Sequence, residues 1–140
     1  MVQSIYSRKA AQHRNPIPNA AVHHGLLVTS SISGMDLTTD AYFPDPADQF
    51  RSVFDQLVDI LSEAGGSVQD IVKIDLYLAD KNNRSLANDR WERLWPDKNH
   101  RPARQAHQAD LPDGCVVQIV ATAFVSHVTQ ESVEHRQENS

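Results

Sequence analysis

Cysteine is almost missing from this chain: Cys115 is the single thiol among 140 residues. One thiol cannot close an internal disulfide, so the fold must be held by packing, which fits a reducing compartment. Long apolar runs are missing too, and nothing approaches the roughly 20 residues that a membrane span requires. The opening MVQSIYSRKAAQHRNP lacks the apolar stretch of a secretory signal. A cytoplasmic protein with no membrane partner is therefore expected. Positive charge is in deficit, with 13 Lys and Arg against 18 Asp and Glu, and the basic residues are scattered. Nucleic acid is not an expected partner, because binding its backbone draws on clustered Lys and Arg that release counterions. The 7 histidines show neither the HExxH spacing nor a pairing with cysteines, so no metal is expected. GxGxxG, Walker A and GxSxG motifs are all lacking, so no phosphate-cradling loop is expected.

What is present suits one α+β domain. A chain of this length buries one substantial core, and residues 1–126 read as a single domain followed by a polar tail, 127–140, expected to be disordered. The clearest element is DPADQFRSVFDQLVDILSEAGG. Asp45 can cap the first turn, Pro46 suits the first helical position, and Gly65 with Gly66 supplies a stop. Between them Phe50, Val53, Phe54, Leu57, Ile60, Leu61 and Ala64 form one apolar face, with Asp48, Asp55, Asp59 and Glu63 on the solvent side. In DIVKIDLYLAD the period changes to two, setting Val72, Ile74, Leu76 and Leu78 against Lys73, Asp75 and Tyr77.

A second helix is read over roughly Ser85 to Trp95, with Trp91 and Trp95 as core or interface anchors. AAVHHGLLVTSSISG reads as a tight hairpin, MDLTTDAYFPDP as a loop, and Ser4 to Ser7 as a short strand. Ala103 to Ala109 and Cys115 to Ser126 read as strands joined by LPDG. The sum is a mixed sheet with two helices on one face. The last strand is apolar on both sides, so its second face is expected to meet another subunit.

Among the candidates for chemistry, Cys115 reads as a packed thiol with no adjacent base. Arg104 stands out because it lies just inside a strand. Alternation puts Arg104, Ala106 and Gln108 on one face and Gln105, His107 and Ala109 on the other. Small neighbours leave room beside a guanidinium whose planar donors suit a carboxylate. A structural salt bridge to a carboxylate of this or a neighbouring subunit is the alternative.

LLVTSSIS, FRSVFDQLVDILSEAGGSVQDIVKIDLYLAD, LANDRWERLW and RPARQAHQADLPDGCVVQI, in this order, resemble the YjgF/RidA family of reactive enamine/imine deaminases over about residues 15–125. The resemblance implies a chorismate-mutase-like domain that assembles as a homotrimer with clefts between subunits. It also implies hydrolysis of 2-imino acids and their 2-enamine tautomers to 2-keto acids and ammonia, without cofactor or metal. By resemblance Arg104 binds the carboxylate of a small-molecule substrate, Ser30 and Ser31 lie beside the cleft, and Asn88 is a nearby polar contact.

The departures bear on the same site. Gln118 stands where deaminating members usually carry a glutamate, and an amide can orient a water but cannot take its proton. Ile17 or Asn19 replaces the family's aromatic residue on the cleft wall, Ser31 replaces a glycine, and a deletion after Arg104 leaves the direction of His107 open. A trimeric small-carboxylate binding module that has lost the chemistry is the alternative function.

Overall fold

The computed structural model of the chain describes residues 1–125, so the expectation for the tail at 127–140 falls outside the described residues. Helix α1 (Pro46–Glu63) begins and ends on the signals read from the sequence. The Asp45 carboxylate accepts from the Ala47 N–H at 3.0 Å, and Gly65 adopts φ 80°, which stops the helix. Its apolar face, from Phe50 to Leu61, is buried without remainder. Those side chains lie on a sheet.

In chain order the strands are β1 (Gln3–Ile5), β2 (Ala20–His23), β3 (Leu26–Thr29), β4 (Ile32–Ser33), β5 (Met35–Asp36), β6 (Ala41–Tyr42), β7 (Ile71–Leu78), β8 (Ala103–Gln108) and β9 (Val117–Phe124). The main sheet runs β1-β2-β3-β9-β7-β8, with β4 also pairing β9, while β5 and β6 pair separately. All ladders are antiparallel except β7 with β8. That parallel pair is joined through a 3₁₀ turn (Lys81–Ala87) and helix α2 (Asn88–Leu94), as a parallel connection requires. The β2–β3 turn places both His24 (φ 49°) and Gly25 (φ 83°) in the left-handed region, the backbone of a two-residue hairpin.

Three expectations need correction. The stretch MDLTTDAYFPDP is not all loop, because β5 and β6 form a small hairpin within it. The first strand begins at Gln3 rather than Ser4 and ends at Ile5. In β7 the register to β9 shifts between Ile71 and Lys73, a bulge that turns Val72 outward, 50% exposed, and gives its core position to Ile71.

The core lies between α1, α2 and one face of the sheet: Val117, Ile119, Ala121 and Ala123 of β9 meet Ile74, Leu76 and Leu78 of β7 at zero exposure. Trp95 closes one end, its indole N–H donating to the Val68 carbonyl at 3.0 Å. A polar seam also runs along α1. Gln49 donates to the carbonyls of Phe43 and Gly114 and accepts from the Val116 N–H, all within 2.9 Å. Gln56 donates to the Ser33 carbonyl at 2.7 Å and accepts from the Ala11 N–H at 2.9 Å. These amides fasten the irregular segments around β4 to the helix.

The opposite face of the sheet carries Leu26, Val28, Val72 and Phe124 exposed, with Val116, Val120 and Tyr77 half-buried among them. Among the described residues no helix covers it. On this face His107 Nε2 lies 3.0 Å from Asp75 Oδ1, and its ring stacks on Tyr77 at 4.8 Å, which fixes the direction the sequence left open. Burial works to raise the Asp75 pKa, but contacts with His107 and Lys73 outweigh it and hold the carboxyl below its ordinary value.

Candidate functional site

Arg104 occupies the edge strand β8 and pairs in register with Ile74, a core residue, so it points to the helix side of the sheet. There the guanidinium is held from three directions. Nη1 donates to Asn88 Oδ1 at 2.9 Å, Nη2 donates to the Arg84 carbonyl at 3.0 Å, and the cation lies over the Trp91 ring at 5.1 Å. Two of its five N–H groups are thus engaged, and the others remain for a ligand. Among the described residues no carboxylate pairs with it, so the salt-bridge alternative finds no partner there. Burial lowers the Arg104 pKa and the charge of Arg84 lowers it further. The side chain stays cationic, and its charge is aimed rather than spent.

Ala106, two residues along, is half-buried on the same face and keeps that flank open. Asn88 is the first residue of α2, which is why a helix start beside β8 can present its amide to Arg104. Trp91 follows three residues later on the same side. The sequence pattern marked Trp91 as a core or interface anchor, and it lies in the core at 8% exposure. Its second role beneath Arg104 is not visible in a one-dimensional pattern.

The other expected site residues lie apart from Arg104, across β9 and β7. Ser30 and Ser31 interrupt the line from β3 to β4, and Thr29 bridges the break by accepting the Ala121 N–H on its hydroxyl at 2.9 Å. Ser30 Oγ donates to the Pro18 carbonyl at 2.8 Å and its N–H to the Asn19 carbonyl at 2.9 Å. Asn19 is a buried tie: its Oδ1 accepts from Ser7 N–H and Gln12, and its Nδ2 donates to the Ala11 carbonyl. Ser31 is exposed and, with Asn19, Ser33, Tyr42, Arg14 and Asp40, lines a cavity of about 590 Å³. Ile17 stands exposed beside this segment.

Gln118 does not belong to the Arg104 cluster. Its neighbours Val117 and Ile119 face the core, so Gln118 points to the bare face, level with Ser33 on one side and Tyr77 on the other. Arg104 and Gln118 of one chain therefore lie on opposite faces of the sheet. One chain brings together Arg104, Asn88 and Ala106. It brings together Ser30, Ser31, Asn19 and Ile17 separately.

Among the described residues no three His, Cys, Asp or Glu side chains converge to hold a metal ion. Cys115 is buried at 3% exposure, and burial raises its pKa, so the thiol is packed as the sequence suggested.

A layered α+β domain with a donor-rich arginine at a sheet edge defines the class, and comparison with known proteins defines the family. Residues 8–125 match the family described as Endoribonuclease L-PSP. A RutC family protein of Haemophilus influenzae is 29% identical over 126 residues, spanning 88% of this chain and 97% of its own. The 2-iminobutanoate/2-iminopropanoate deaminase of Bos taurus is 30% identical over 131 residues, spanning 92% and 94%. Among solved structures, YyfA of the Rid protein family from Yersinia pestis superposes with a TM-score of 0.82 at 26% identity, covering 89% of this chain and 100% of its own. The chain belongs to the YjgF/RidA family. Its mixed sheet with two helices is the fold of that family.

Proposed function

We propose that this protein hydrolyses small 2-imino carboxylic acids and their 2-enamine tautomers to 2-keto acids and ammonia, as a homotrimer whose sites lie between subunits. The observation that carries the reading is Arg104: half-buried, pre-positioned over Trp91, free of any carboxylate among the described residues, and left with unused donors. Such a group binds a carboxylate at small entropic cost and holds the adjacent imine carbon in a fixed place. Water adds to that carbon, a proton passes to nitrogen, the C–N bond breaks, and ammonia leaves behind a carbonyl. The names of relatives such as the bovine deaminase support this reaction class.

Two observations favour sites shared between copies. Ser30, Ser31, Asn19 and Ile17 are separated from Arg104 within a chain by intervening strands, and Gln118 faces away from it. The sheet also presents an apolar face that no helix covers among the described residues. Packing the edge strand of one copy against the bare face of the next would unite Arg104 with a neighbouring Gln118 and Ser31. Gln118 then orients the water, while the proton moves to the substrate nitrogen, since an amide is no base.

The binding-module reading is favoured by Gln118 alone, because loss of a general base costs about 10²- to 10⁴-fold. One experiment separates the two. Imines are generated in situ by an amino-acid oxidase, semicarbazide traps what survives, and keto-acid release is followed. Wild type should accelerate release, and Arg104→Ala should lower kcat/KM by about 30-fold or more, matching the ~2–5 kcal/mol lost with one partner of a desolvated charge pair. The variant should keep its oligomeric mass, since a monomer or an unfolded chain would make Arg104 structural. Inactive wild type with activity gained in Gln118→Glu would establish the binding module.

A further inference from the structure

Positive charge around α2 is balanced on one side and unbalanced on the other. Toward α1, Arg51 pairs with Asp48 at 2.9 Å and Arg90 with Asp55 at 3.1 Å, and Arg93 has Asp89 at 3.5 Å. Toward β8, neither Arg104 nor Arg84 has a carboxylate partner among the described residues. The acids adjacent in sequence are engaged elsewhere: Asp80 accepts the Asn82 N–H at 2.9 Å, and Asp89 faces Arg93. The Arg84 guanidinium donates to the Lys81 carbonyl at 3.3 Å, a contact without counter-charge. Arg84 is also bound to the clamp itself, since its carbonyl accepts from Arg104 Nη2 at 3.0 Å. In a chain of net charge −5, two neighbouring arginines without a carboxylate partner among the described residues form a positive site.

We propose that the substrate is dianionic: a 2-imino acid with a second carboxylate at the end of its side chain, which Arg84 receives while Arg104 holds the carboxylate beside the reacting carbon. The inference rests on the reading of Arg104 as the clamp. Like charges near one another repel, as the effect of Arg84 on Arg104 shows, and a ligand bearing two negative groups relieves that repulsion more fully than a monoanion does. Arg84 is exposed on a 3₁₀ turn, so its side chain can adjust to the length of the ligand. It is a specificity-determining residue and takes no part in the chemistry at the imine carbon.

The test is calorimetric binding of two product-like probes with the same five-carbon chain, 2-oxoglutarate and 2-oxopentanoate, which differ at the terminal carbon alone. Wild type should bind 2-oxoglutarate about tenfold tighter, a preference that shrinks as salt rises. Arg84→Gln should abolish the preference by weakening 2-oxoglutarate far more than 2-oxopentanoate, and Arg84→Lys should restore most of it. Equal binding of both probes by wild type, or a preference that survives Arg84→Gln, overturns the dianion inference and leaves the clamp standing. Loss of both ligands in Arg104→Ala supports the clamp. Failure of wild type to bind either probe overturns clamp and inference together.

Discussion

Cys115 and Arg104 illustrate how burial acts on a single group according to what surrounds it. The thiol sits at 3% exposure with Sγ donating weakly to the Val117 carbonyl at 3.5 Å. Burial raises its pKa because a thiolate would lose its hydration without gaining a positive partner. We therefore expect an aromatic disulfide reagent at pH 8 to label the native protein about 100-fold more slowly than the urea-unfolded chain. Equal rates would place the thiol at the surface. Arg104 is also partly buried, yet its charge is kept by an amide, a carbonyl and an indole face. The alternation of β8 was enough to put Arg104 and Ala106 on one face. Which side of the sheet that face meets follows from pairing with Ile74 and Leu76, partners some 30 residues away that no local pattern names.

Helix α1 was legible from caps and periodicity, but its polar seam was not. Gln49, Ser52 and Gln56 recur at three and four like the apolar set, and their burial at 7% exposure or less marks them as fastenings rather than surface. The spacing itself was the available signal. Gly34 shows the same closeness from the other side, because a Cβ built there would lie 2.8 Å from Gln49 Cα, which is backbone and cannot step aside. Gly34→Ala should destabilise the fold by about 1–3 kcal/mol through overpacking, read as a lower urea midpoint at unchanged slope. An unchanged midpoint would mean that α1 is free to shift. The bulge at Val72 is a case where alternation misled: a single inserted residue exchanges the faces of everything before it.

At the scale of the whole molecule, the bare face of the sheet and the separation of the site residues both favour the proposed assembly between copies. Phe124 is 55% exposed, and Leu26 and Val28 about 40% each, a concentration of apolar surface that marks an interaction site. Phe124→Asp should convert the assembly to monomers by light scattering and, with the clefts dismantled, remove imine hydrolysis while leaving the circular dichroism of the fold intact. An unchanged mass would show that this face is not the interface. His107, Asp75 and Tyr77 lie on it as a hydrogen-bonded and stacked group, so they belong to the surface that assembly would cover and not to the Arg104 pocket.

The sequence by itself determined the first helix with its caps, the main strands in outline, the hairpin at His24 and Gly25, the two-layer class and the alternation that puts Arg104 and Ala106 on one face of β8. Each of these depends on residues within a few positions of one another, where periodicity and backbone preference act directly. The tertiary structure decided that Asn88, Trp91 and Arg84 surround Arg104, that Asn19 is a buried tie, and that Gln118 faces the opposite side of the sheet. Those facts depend on which strands become neighbours, and that choice is made by burial of the whole core rather than by any short stretch of chain.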